Sequence, residues 1–166
     1  MANNLPKTKK SNFYFQTEQE AIRALEIEGR KLQRIAVKVW RKYLSSYQPK
    51  KYIRTNNTER GIKLGKVKMI APDQWGIELT FENDLMYHES VFDKQNGTRS
   101  YPKGHSIMLL SGGWKATRLE RKIGIRQNFT RHRGINYLGQ VVRAYNLQKH
   151  KGITLDIQWS GKFLKK

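Results

Sequence analysis

Cysteine is absent from the 166 residues. That excludes disulfide frameworks and thiolate metal sites, and it points to synthesis in a reducing compartment. Without staples the fold must rest on its own core, and a chain of this length buries roughly two-thirds of its unfolded surface, enough for one domain. Long apolar runs are missing too. None approaches the roughly 20 residues that a membrane span requires, and the opening Met1-Ala2-Asn3-Asn4-Leu5-Pro6-Lys7 has no apolar stretch of the signal-peptide kind, so neither span nor leader is expected. Acids are scarce: 13 Asp and Glu face 33 Lys and Arg, leaving a net charge of +20. A chain so positive repels itself unless a polyanion neutralises it, which makes nucleic acid the default partner. A solvated basic surface is the plain alternative. No basic amphipathic helix with an exposed apolar face stands out, which disfavours a membrane surface.

The same shortages thin out the catalytic options. His88, His105, His132 and His150 each lack a second His or a carboxylate three or four residues on, so no local metal site is encoded. His88-Glu89 has the chemistry of a base and acid pair, and equally that of an ordinary strand edge or loop. A nuclease needs several carboxylates to hold a divalent metal beside phosphate. Glu18, Glu20, Glu26 and Glu28 belong to the first helix, and Asp73, Asp84, Asp93 and Asp156 are scattered. No phosphate-cradling loop or nucleophile elbow occurs. The expectation is therefore no enzyme and no cofactor.

Residues 1–16 read as an extended arm, with Lys7, Lys9 and Lys10 ahead of Phe13, Tyr14 and Phe15. Thr17-Glu18-Gln19-Glu20 is a capping box. The helix after it runs to about Ser45, about 45 Å at 1.5 Å per residue, with Ile22, Leu25, Gly29, Leu32, Ala36, Val39 and Tyr43 on one face. Its acids lie in the first half, while Arg30, Lys31, Arg34, Lys38, Arg41 and Lys42 fill the second, an order that complements the helix dipole. Pro49 opens a connector to Arg60. Residues 62–70, rich in Ile, Leu, Val and Met, and the alternation of Trp75, Ile77, Leu79 and Phe81 then predict two strands, joined as a hairpin through Pro72-Asp73. Asn136 caps a second helix to about Gln148, with Leu138, Val141, Val142 and Tyr145 inward and Gly152 after its end. Ile153, Leu155, Ile157 and Trp159 predict a last strand. The fold class is α+β in the order α-β-β-loop-α-β, a long N-terminal helix and a second helix on a mainly antiparallel sheet. Residues 17–166 form the single domain.

Residues 93–133 interrupt this pattern as a basic loop insertion. Ile107–Leu110 suggests a short strand inside it, and turn formers fill much of the rest. Lys115, Arg118, Arg121, Lys122, Arg126, Arg131 and Arg133 form a dense basic tract, the candidate contact to a partner or to DNA. Too few apolar residues accompany them to offset the entropy of ordering, so the tract is expected to order on docking. Gly112-Gly113-Trp114 beside it reads either as a phosphate-approaching loop with a stacking aromatic or as a turn with a space-filling Trp.

Tyr47, Pro49, Tyr52, Arg54 and Thr55, set just after a basic helix and before strands, carry a resemblance. The pattern resembles the tail-completion and neck (head–tail joining) proteins of tailed bacteriophages, in which a long N-terminal helix leads through such a Pro and Arg-Thr element into a hairpin, a second helix and a last strand. Asn56-Asn57-Thr58 follow here where the family often has Gly and Leu. The resemblance implies a virion protein made in host cytoplasm, without a cofactor. It implies a homo-oligomeric ring of six- or twelve-fold symmetry around the DNA channel, contacting portal or adaptor and tail proteins, with packaged DNA nearby and bound without sequence preference. A stand-alone basic nucleic-acid-binding protein, architectural or ribosome-associated, is the other reading.

Overall fold

The computed structural model describes residues 15–46, 56–88, 91–93, 95, 98–100, 104–114, 126–127 and 132–156. Helix α1 (Glu18–Ser45) begins where the capping box predicts. The Thr17 hydroxyl oxygen accepts from the Glu20 amide at 3.2 Å, and the Glu20 carboxylate accepts from the amide of Gln16 at 2.9 Å, one residue earlier than the standard box. All seven positions of the expected apolar face are buried or half-buried. Glu28, Ile35 and Trp40 are buried as well, which widens the inner stripe beyond the one read from spacing.

A short helix α2 (Asn57–Arg60) leads into β1 (Ile62–Leu64), β2 (Lys68–Ala71), β3 (Gln74–Gly76) and β4 (Leu79–Phe81). These make the expected hairpin in two ladders. Ile62 pairs with Phe81 and Met69 with Trp75, both antiparallel, with a register shift between Met69 and Ala71. The Gly65 amide donates to the Glu78 carbonyl at 2.9 Å across the gap between ladders, and Asp73 turns the tip with φ 58°. Gly29 lets this hairpin close on α1: a Cβ there would stand 2.9 Å from Ile77 Cδ1 and 3.0 Å from Leu64 Cδ1.

Then come α3 (Asn83–Met86), β5 (Tyr87–His88), β6 (Val91–Asp93), β7 (Thr98–Ser100), β8 (Gly104–His105), α4 (Ser106–Gly112), β9 (Gly113–Trp114), β10 (Arg126–Gln127), β11 (His132–Arg133) and α5 (Tyr137–Asn146). The pairs β5–β8, β6–β7 and β9–β11 are antiparallel, and β7–β10 is parallel. Ile107–Leu110 is helical, correcting the strand expected there. Ile107 and Leu110 are both almost wholly buried, and their spacing of three puts them on one helix face. Four consecutive apolar residues carry no period that tells a strand from a buried helix. Helix α4 also gives the 93–133 interval a share in the core.

That core lies between α1 and α5, closed by β1, β4, α3 and α4, and comprises Ile35, Ala36, Trp40, Ile62, Met86, Ile107, Leu110, Tyr137, Val141 and Tyr145. Asn136 caps α5 as expected, its side chain accepting from the Gly139 amide at 3.2 Å. Beyond α5, Ile153 is buried, Thr154 exposed, Leu155 packed on the core and Asp156 exposed. The in-and-out alternation of the predicted last strand is present over these four residues, although they form no ladder with a described strand. Ile157 and Trp159 lie outside the described residues. The chain is α+β: a long N-terminal helix, a second helix and small, mainly antiparallel sheets.

Candidate nucleic-acid interface

The side of α1 turned away from the core is basic. Arg23, Ile27, Arg30, Arg34, Lys38 and Arg41 follow one another at spacings of three and four, and all are exposed. That periodicity draws them into one outward ridge, about 27 Å long at 1.5 Å per residue. Two of its cations face carboxylates. Arg30 lies 3.3 Å from Glu26 one turn back. Arg41 grips Glu59 of α2 in a fork, with Nε donating to Oε2 at 3.0 Å and Nη2 to Oε1 at 2.5 Å. The hydrogen bond and charge of Arg41 outweigh partial burial and hold the Glu59 carboxyl below its ordinary value. Arg34 donates to the Arg30 carbonyl at 3.3 Å. No carboxylate among the described residues pairs with Arg23, Arg34 or Lys38. At its C-terminal end the ridge borders an open hollow of about 540 Å³ lined by Arg41, Leu44, Asn56, Glu59 and Arg60.

Lys31, one step round the helix, is turned inward instead. Its ammonium meets the buried Glu28 carboxylate and donates to the Gln148 carbonyl at 3.0 Å. Burial pushes the Glu28 carboxyl up, but the Lys31 ammonium, with the Tyr145 hydroxyl and the His150 backbone nearby, brings it below the usual carboxylate value, although Oε2 has no hydrogen-bond partner within bonding distance. The cluster ties the first half of α1 to the chain beyond α5. Phe15 adds to the tie, its ring stacked on His150 at 5.1 Å.

The residues singled out by sequence are dispersed. Lys115, Arg118, Arg121, Lys122 and Arg131 lie outside the described residues, as do Tyr47, Pro49, Tyr52, Arg54 and Thr55. Arg126 sits in β10, its backbone paired with Thr98, while Arg133 is exposed in β11, opposite Gly113. These two strands belong to different sheets. His88 pairs through its backbone with Gly104, and Glu89 lies outside the described residues. His105 is buried and stands opposite Tyr87 in the same ladder, and His132 is in β11. Gly112 and Gly113 end α4: Gly113 adopts φ 77° and its amide caps Leu109. Just beyond, the Ile135 amide donates to the Leu110 carbonyl at 2.9 Å and the Asn136 amide to that of Ser111 at 3.2 Å.

Sequence reasoning saw the charges of the ridge but assigned them to the helix dipole. The signal that finds it is their spacing, since Arg30, Arg34, Lys38 and Arg41 fall opposite the apolar stripe. Among the described residues no group of three or more His, Asp or Glu is placed to hold a metal, and no helix is long and apolar enough to cross a membrane. Comparison with protein-family models, with curated proteins and with solved structures returns no match.

Proposed function

We propose that this chain is a structural component of the head–tail connector of a tailed bacteriophage, one copy of a homo-oligomeric ring around the DNA channel between portal and tail. The observation that carries the reading is where the Tyr47–Thr55 motif falls. It lies between the end of α1 at Ser45 and the start of α2 at Asn57, and its last residue, Thr55, is seven positions before the hairpin opens at Ile62. That is the place the resemblance assigns to such an element. The charge of +20 adds support, since it suits a protein assembled beside DNA and against acidic neighbours. In this reading the chain is made in host cytoplasm, needs no cofactor, and meets portal or adaptor and tail proteins on either side. The basic tract at 115–133 docks on one of them or on DNA.

Negative-stain imaging with light scattering of the purified protein tests the proposal. Discrete closed rings are expected, with only weak DNA affinity. A monomer or dimer that binds DNA or RNA tightly in low salt would replace it with the second reading, a stand-alone nucleic-acid-binding protein. The basic ridge of α1 is the observation that favours that alternative.

A further inference from the structure

We infer that the outer ridge of α1 is a docking site for the phosphate backbone of duplex nucleic acid, separate from the basic tract at 115–133. Three properties of the ridge carry this. It is rigid, because it is one continuous helix of 28 residues whose opposite face is locked into the core. It is uncompensated, because Arg23, Arg34 and Lys38 have no carboxylate partner among the described residues. The partner of Arg30 belongs to an exposed pair, which exchanges readily for another anion, while Arg41 stays held by the half-buried Glu59. It is also long enough: about 27 Å of helix spans the major groove, about 12 Å wide, so its ends reach phosphates on both walls.

An acidic protein is the other polyanion to weigh, and the composition of the ridge argues against it. Protein interfaces accept Arg readily, but they gather it around a centre of apolar and aromatic side chains. Here Ile27 is the single apolar member, and long cationic side chains make up the rest. Such side chains are the ones that reach phosphate oxygens and fix a protein on a duplex without reading its sequence. The inference holds for a monomer and for a ring alike and does not rest on the connector reading.

The test is fluorescence anisotropy with the full chain and a labelled duplex of about 20 base pairs, longer than the ridge at about 3.4 Å per pair. Salt is varied from about 50 to 200 mM. The double variant Arg34→Glu/Lys38→Glu is compared with Lys66→Glu/Lys151→Glu, which changes net charge equally at exposed positions off the ridge. Each phosphate contact contributes about 0.9 to the slope of log affinity against log salt, so the ridge variant should lose about two units of slope and at least about tenfold in affinity. The control should keep its slope. The neutral pair Arg34→Gln/Lys38→Gln, with an unchanged denaturation midpoint, should shift in the same direction and guards against a folding artefact. Equal loss in ridge and control variants would overturn the inference, as would no loss in either. Displacement of the duplex by polyglutamate at equal charge concentration would overturn it in favour of an acidic protein partner. Light scattering on the same samples separates this outcome from the connector proposal. A monomer whose slope depends on Arg34 and Lys38 keeps the ridge and discards the ring; a ring whose slope ignores them does the reverse.

Discussion

Tyr137 joins three elements, and its substitution tests the packing of the whole domain. Its side chain is fully buried, its hydroxyl donates to the Ala36 carbonyl of α1 at 2.7 Å, and its ring meets Phe81 of β4 edge-on with centroids 6.3 Å apart. Tyr137→Phe removes only the hydrogen bond, worth about 0.5–1.5 kcal/mol net. Tyr137→Ala also removes the ring, and large aromatic-to-Ala changes in a core cost about 3–5 kcal/mol. For a chain of this length 1 kcal/mol lowers the thermal midpoint by about 2–4 °C, so the Phe variant should melt a few degrees low and the Ala variant several times further. Urea denaturation of both variants measures the ratio. A Phe variant as stable as the parent would remove the bond to Ala36, and a Phe variant as damaged as Ala would show that the ring is not packed as described. Burial also drives the Tyr137 and Tyr145 phenols above their ordinary value. A folded-state value above the unfolded one of about 10 makes a contribution that is whole below that pH and is lost as pH rises past it. Phenolate absorbance should therefore show at least two of the eight tyrosines ionising only as the fold is lost.

Glu28→Gln should cost about 1.5–3 kcal/mol near neutrality, the range for hydrogen bonds to a charged group. Because the Glu28 carboxyl is held low, its contribution is present above the unfolded value of about 4.3 and is lost as pH falls through the folded one. The gap between variant and parent should thus close in acid, and a gap constant from about pH 7 to pH 3 would contradict the assignment. At the junction of α4 and α5, a Cβ on Gly134 would stand 2.6 Å from the Gly112 carbonyl carbon and 2.7 Å from the Gly113 nitrogen, while one on Gly112 meets nothing within 4 Å. Gly134→Ala should lose about 1–3 kcal/mol or more in a denaturant titration, and Gly112→Ala should change stability by no more than about 0.5 kcal/mol. Equal effects would misplace that junction.

What was legible in the sequence was what repeats locally. The Thr17 cap, the inner face of α1, the Asn136 cap and the Pro72-Asp73 hairpin each rest on neighbours within a few residues, and each stands as read. What was not legible depends on partners distant in the chain. Tyr137 lies outside the inner face read for α5 and is buried because Ala36, a hundred residues earlier, offers it a carbonyl. Glu28 reads as one of four acids in the first half of the helix that complement its dipole, yet the fold covers it with Tyr145 and His150 and supplies Lys31. Ile107–Leu110 is apolar at every position, so only the surrounding core decides between strand and helix. The candidate tract at 115–133 was conspicuous because its charges are crowded in sequence. The α1 ridge was passed over because the helix dipole already accounts for where its charges lie along the helix.

That difference bears on how a chain of +20 is organised. Within the residues whose side chains are described, acids offset most of the Lys and Arg, so the excess belongs chiefly to the remainder of the chain. Among the described residues the ridge gathers five of these cations along a single helix. A rigid ridge and a basic tract poor in apolar residues take hold of a polyanion differently. The ridge has its geometry before contact, so binding costs it little ordering and its affinity follows from counterion release alone. A segment that gains order only as it docks sacrifices part of its contact energy instead. Contacts of the first kind are indifferent to sequence and let a duplex slide, the behaviour suited to a protein beside DNA that must pass. Those of the second kind suit a neighbour that stays.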